Sequence, residues 1–291
     1  MNKGYFILIA LTAGFYACSK DDNPVPEDDK PIKEEPAPVR KISVMVDETP
    51  MVDGNKAAIA TRGSIISTST LSSFKMNYQS DVYTVSKTES GSTWNTEPDP
   101  WPTGDDDERL VFHAYNAGEY QYPGDYLSFI VDENAGKQKD LLVATDTVSY
   151  NTNNGKVSLV FDHACAAVDF QIYLSNTLRN KLGEDLCINS VTLENVQDTG
   201  KYSYSEGWRD LRGSASYTLT SGDFLVGTSI HTFDCGTLFM IPQTLCDTAG
   251  LNIQYTLNET TKNVFVTMNG TIWKAGTHHT AKFKLGTQQI K

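Results

Sequence analysis

From residue 41 onward, apolar and polar positions alternate with a period of two. Ile42, Val44 and Val46 stand in one phase against Lys41, Ser43, Met45 and Asp47. The pattern returns at Phe74, Met76 and Tyr78, at Leu110, Phe112 and Ala114, and at Leu127, Phe129 and Val131. It continues through Val157, Leu159 and Phe161 and through Leu251, Ile253, Tyr255 and Leu257, and closes at Ala281, Phe283 and Leu285. Such alternation marks a strand with one buried face, because successive side chains leave a strand on opposite sides. Two segments, Leu141–Ala144 and Leu238–Ile241, are apolar in both phases and are predicted as central strands. Clusters of Gly, Asn and Asp at Asn151–Gly155 and Asn195–Gly200 predict the turns between strands.

One segment changes phase. In Lys156–Leu174 the inward set is odd at Val157, Leu159 and Phe161, then even at Ala166, Val168, Phe170, Ile172 and Leu174. A single strand cannot face both ways, so a bulge, a bend or a change of sheet is expected near Asp162–Ala164. Leu174, Leu178 and Leu182 then follow at helical spacing, with Ser175 placed to cap a short helix. The fold class is all-β, with two sandwiches meeting near residues 174–187.

The first forty residues are of another kind. Lys3 precedes an apolar run from Tyr5 to Ala17, which has the charged start and short apolar core of a secretory signal peptide. Cys18 follows directly and resembles the lipid-modified cysteine of bacterial lipoproteins, although Phe15 and Tyr16 are bulkier than usual there. The Cys18-Ser19-Lys20-Asp21-Asp22 stretch resembles the acidic surface-export tag of Bacteroidales lipoproteins. Pro24, Pro26, Pro31, Pro36 and Pro38 then stand among seven carboxylates in residues 19–40. That composition predicts an extended tether reaching roughly 60–70 Å at about 3.1 Å per residue. The expected layout is a signal peptide over 1–17, a lipid-anchored tether over 18–40, an N-terminal β-sandwich over 41–174 and a C-terminal one over 175–291.

Charge and motifs narrow the chemistry. The chain of 291 residues carries 36 acidic and 24 basic side chains, a net charge of −12, which argues against nucleic-acid partners. No run of 18 or more apolar residues is present. The signatures of serine hydrolases, zinc proteases, P-loops and dinucleotide folds are missing, so no catalytic residue and no cofactor is assigned. His113 lies within a strand and is expected to be structural, and His278 and His279 would point to opposite faces, so no metal site is expected. Asp105-Asp106-Asp107-Glu108 lacks the alternate spacing of a calcium loop and is expected to be a solvated turn. Cys165, Cys187, Cys235 and Cys246 permit three disulfide connectivities or free thiols.

An ordered series of markers carries a resemblance. It runs through Trp101-Pro102, Leu110–Tyr115, Lys139–Ala144, the Val157, Leu159, Phe161 and His163-Ala164 set, and Val168 with Phe170. It ends with Met240-Ile241-Pro242-Gln243 and Trp273 followed by Ala275-Gly276. The series is similar to the fimbrillin-like (Mfa-like) family of Bacteroidales type V pilin lipoproteins. The resemblance implies two transthyretin-like β-sandwich domains and an outer-membrane lipoprotein that becomes part of a surface fimbrium. It also implies cleavage after an arginine by a trypsin-like protease, followed by strand exchange with other pilin subunits.

Arg62 is the expected cleavage site in preference to Arg40, because only a cut after Arg62 removes the strand bearing Ile42, Val44 and Val46. Gly286–Lys291 hold one apolar side chain, less than a useful donor strand needs, so a tip or accessory subunit that accepts a strand is expected. Its further partners would be the outer membrane through the lipid and a host or bacterial surface ligand. The alternative is a glycan-binding lipoprotein that does not polymerise, with Trp94, Trp101 and Tyr120-Gln121-Tyr122 as its stacking platform.

Overall fold

The computed structural model describes residues 40–53, 70–91, 93–102, 104–233 and 235–291. In its first half the strands are β1 (Ser43–Glu48), β2 (Val52–Asp53), β3 (Ser73–Tyr78), β4 (Asp81–Lys87) and β5 (Trp94–Glu97). They are followed by β6 (Leu110–Tyr115), β7 (Glu119–Gln121), β8 (Tyr126–Ile130), β9 (Leu142–Val148), the helical turn α1 (Tyr150–Asn153) and β10 (Lys156–His163). The second half opens with β11 (Ala166–Leu174), α2 (Asn176–Leu182), β12 (Leu186–Val196), β13 (Thr199–Ser203), β14 (Gly207–Arg212) and β15 (Ala215–Val226). It ends with β16 (His231–Thr232), β17 (Leu238–Met240), β18 (Gln243–Thr244), β19 (Gly250–Leu257), β20 (Thr260–Thr267), β21 (Ile272–Trp273) and β22 (Thr277–Leu285). The described chain is nearly all β, as its alternation predicts.

The first-half sheet runs β1-β10-β9-β6-β3-β4-β5 and closes on itself where Val44 meets Trp94, forming a barrel. Its interior holds Val44, Phe74, Met76, Phe112, Leu159 and Phe161. A second buried cluster gathers Phe170, Ile172, Ile188, Leu193, Tyr217, Leu251, Ile253 and Trp273. Around it lie the sheet β16-β11-β22-β2, with β17 also beside β11, the sheet β15-β12-β19-β20 and the sheet β14-β13-β8-β7.

The phase change is a change of sheet. β10 buries Val157, Leu159, Phe161 and His163 inside the barrel, whereas β11 belongs to the next sheet and buries Ala166 through Phe170 without a break. The expected helix forms where the leucines place it. The Ser175 hydroxyl accepts from the Leu178 amide at 3.1 Å, and Gly183 closes the helix at a left-handed φ of 77°.

The reading of Leu238–Ile241 as a central strand is corrected. β17 pairs with β11 alone, yet it is buried on both faces by the second cluster, and the Gln138 side chain accepts its Phe239 amide at 2.9 Å. A capped, covered strand looks like a central one in sequence because burial, and not pairing, selects its apolar residues.

Candidate functional site

The sequence points to the first strand and the seat that holds it. β1 lies parallel to β10, in register from Ser43 beside Lys156 to Glu48 beside Phe161, and touches β5 on its other side. Ile42 and Val44 are buried and Val46 is half-buried, while Ser43, Met45 and Asp47 face outward. The strand enters along an irregular run of backbone bonds. Ile42 donates to Asp99 at 2.7 Å, Ser43 to Gly155 at 2.9 Å, and Trp101 to the Arg40 carbonyl at 2.8 Å. Gly155 permits that approach: it adopts a φ of 73°, and a Cβ there would stand 2.3 Å from the Lys41 carbonyl oxygen.

Arg40 is tied down beside this point. Its guanidinium pairs with Asp106 and lies 5.6 Å from the Tyr150 ring centre. Asp106 thus belongs to a turn in which Asp107 accepts from the Asn151 side chain at 2.9 Å.

At its far end β1 carries a charged side chain inward. Glu48 Oε1 sits 3.0 Å from His163 Nε2, and His163 Nδ1 bonds on its other side to Asp140 Oδ2. The side chains are 16%, 1% and 0% exposed for Glu48, His163 and Asp140, so the three form a buried row. Ionised carboxylates only accept, so with both ionised each ring nitrogen donates and the imidazole is held as a cation. Burial opposes that charge, but the hydrogen bonds and charges of Asp140 and Glu48 outweigh it and raise the His163 pKa. Burial likewise pushes the Asp140 carboxyl up.

The segment then crosses to the second cluster. Met51 packs against it, and Val52 donates to the Gly276 carbonyl at 2.9 Å as β2 pairs in parallel with Thr277 and His278 of β22. Beside this junction His278 Nε2 lies 2.9 Å from Asp169 Oδ2, a hydrogen bond that raises the His278 pKa. Thr237 donates to the other Asp169 oxygen at 2.6 Å. Residues 42–53 therefore supply one strand to the barrel and one to the neighbouring sheet.

Other expected site residues are distributed as follows. Cys18 and Arg62 lie outside the described residues. His113 is packed as a structural side chain, with Nδ1 2.9 Å from the Thr145 hydroxyl and its ring 4.0 Å from that of Tyr204. Cys165, Cys187 and Cys246 are free thiols, and the Cys235 thiol donates to the Gly236 carbonyl at 3.4 Å.

The proposed stacking platform is not flat. Trp101 is 5% exposed and packs on Phe112 and Tyr150, and Trp94 lies against Phe74. Tyr120 and the 52%-exposed Tyr122 instead line a cleft of about 330 Å³ with Tyr78, Glu108, Arg109 and Asp125.

Sequence reasoning passed over Glu48, His163 and Asp140. The signal was present for two of them: Glu48 continues the inward phase of Ile42, Val44 and Val46, and His163 that of Val157, Leu159 and Phe161.

The model of one protein family, described as fimbrillin-like, matches residues 52–291. No curated protein sequence matches the chain. Among solved structures, a fimbrial protein from Bacteroides vulgatus is similar with 15% identity and a TM-score of 0.54, over 87% of this chain and 96% of that one. A candidate cell adhesion protein from Parabacteroides distasonis is similar with 12% identity and a TM-score of 0.52, over 84% of this chain and 88% of that one. These two likenesses concern the fold.

Proposed function

Because the chain belongs to the fimbrillin-like family, we propose that it is a structural, adhesive subunit of a surface fimbria, activated by loss of its own first strand. It would reach the cell surface as a lipoprotein anchored through Cys18 and would be cut after Arg62. The observation that carries this reading is the placement of residues 42–53. They precede almost all of the family-matching region, yet they fill a strand position between β10 and β5 and a second one beside β22. Removing them would strip Ile42 and Val44 from the barrel core, at about 1.5–3 kcal/mol for each side chain. It would also leave the backbone edges of β10 and β22 unpaired. A strand from a neighbouring subunit would restore both, which is β-augmentation used for assembly.

Two further points support the details. Arg40 is held through its carbonyl and its guanidinium, which disfavours the extended fit a trypsin-like protease requires and supports preferring Arg62 over it. Gly286–Lys291 fold back: Ile290 is 2% exposed within the second cluster, and Lys262 donates to the Lys291 carbonyl at 2.6 Å. These residues serve their own core. The two buried clusters fit two β-layered halves.

Limited trypsin digestion of the folded chain, read by intact mass, tests the proposal. A dominant early cut after Arg62 with a compact remainder is expected. Early cutting after Arg40 with Arg62 intact would make β1 a permanent part of the barrel and end the reading.

The second reading, a glycan-binding lipoprotein that does not polymerise, is favoured by the cleft alone. Tyr78, Tyr120 and Tyr122 there stand beside Glu108, Arg109 and Asp125, an aromatic and polar set suited to sugar rings. Retardation of the uncut chain in glycan-containing gels, with no oligomers after cleavage, would favour it.

A further inference from the structure

We infer that the strand accepted in place of β1 is selected by an acidic side chain, which must lie beside Phe161 of β10 and close on His163. This rests on the strand-exchange reading above and adds the chemistry of the partner. The inward row of β1 reads Ile42, Val44, Val46 and then Glu48, so three apolar positions are followed by a carboxylate. The inward row of β10 reads Val157, Leu159, Phe161 and then His163. The two strands are parallel and in register, so the acid and the imidazole meet at the same end of the seat.

His163 has no freedom to answer a different partner. Asp140 holds its other nitrogen, and the side chain is buried. A donor with an apolar residue at this position would bury the Nε2–H without an acceptor. A donor with Lys or Arg there would set a second cation against the imidazolium. The seat therefore accepts a segment with alternate apolar residues followed, two positions on, by Glu, running parallel to β10. Asp47 faces outward, where its Oδ1 accepts from the Glu48 amide at 2.8 Å, and does not pair with His163.

The test uses the full chain, folded and then cut within residues 54–69 at an introduced recognition sequence of a site-specific protease. Fluorescent peptides of residues 40–53 are exchanged against the resident strand and their apparent Kd is read by anisotropy. Peptides carry the natural sequence, Glu48→Ala, Glu48→Gln or Asp47→Ala. The expected result is a Glu48→Ala peptide weaker by roughly ten- to a hundredfold, with Glu48→Gln between it and the natural peptide. Asp47→Ala, which removes the same charge from the outer face together with an exposed hydrogen bond to the Glu48 amide, should weaken binding by no more than a few-fold.

Equal binding of the Glu48→Ala and natural peptides overturns the inference and leaves strand exchange standing. Equal weakening by Asp47→Ala and Glu48→Ala overturns it too, because general charge would then be the cause. If the natural peptide itself never enters, the strand-exchange reading falls and the inference falls with it.

Discussion

Replacing His163 by Ala isolates the buried row that ends the first strand. The side chain lost is itself buried, and it leaves Asp140, fully buried, without its countercharge. Breaking a buried pair by removing one member costs about 3–5 kcal/mol, whereas exchanging both for apolar groups is often neutral. His163→Ala should therefore cost about 3–5 kcal/mol at pH 7, a large part of a domain's margin of about 5–15 kcal/mol. The double replacement Asp140→Leu with His163→Leu should recover most of that loss.

The pH dependence has a fixed sign. His163 is raised in the folded state, so its contribution is full below the ordinary histidine value near 6.5 and is lost as pH rises through the folded value. Asp140, also raised, acts with the same sign from its own ordinary value upward. Urea unfolding between pH 6 and 8 measures the His163 effect. The natural chain should lose stability as pH rises above about 6.5, and the double-Leu chain should lose less. A cost for His163→Ala under about 1 kcal/mol, or identical slopes in the natural and double-Leu chains, would refute the reasoning.

Three further outcomes are expected. Gly155→Ala should destabilise by about 1–3 kcal/mol in urea unfolding and speed proteolysis of the first strand, because the new Cβ meets the Lys41 carbonyl at a left-handed φ. Ile290→Ala should cost about 2–5 kcal/mol by the same measurement, since its side chain fills the second cluster. In timed labelling with a chromogenic disulfide reagent, Cys246 should react first, being exposed and having its pKa lowered by the hydrogen bond with Thr248. Cys165, buried and with its thiol pushed up by that burial, should react only on unfolding.

Most of the longer strands are legible because one buried face forces a period of two; β10 is the cleanest case, alternating without a break from Val157 to His163. β12 and its partner β15 escape detection because register shifts, as between Ile188 and Ser190, move the inward phase within a single strand. β2, two residues long with both exposed, leaves no pattern at all. Pairing is harder still. Nothing local tells that β1 lies beside β10, or that β22 lies between β11 and β2, since parallel neighbours are joined by long stretches of chain. The same separation hides the Glu48–His163–Asp140 row, whose members meet only after three distant segments pack. The aromatic platform fails for a different reason: Trp94 and Trp101 have the size that a small barrel needs to fill its interior, and the core claims them.

The parallel pairing of β1 and β2 also sets a timetable. A chain made from its amino terminus presents Ser43–Glu48 long before Lys156–His163 exists to receive it, and Val52–Asp53 must wait for Thr277–Leu285 at the opposite end. Residues 42–53 are thus the earliest strand-forming segment described, and although Trp94 can meet Val44 sooner, neither of their parallel ladders is available to a half-made chain. A segment that completes the fold late, by adding to surfaces already formed by others, is already a ligand of its own protein. Under the proposed strand exchange, a neighbour's strand would repeat between molecules a docking step that each molecule first takes alone.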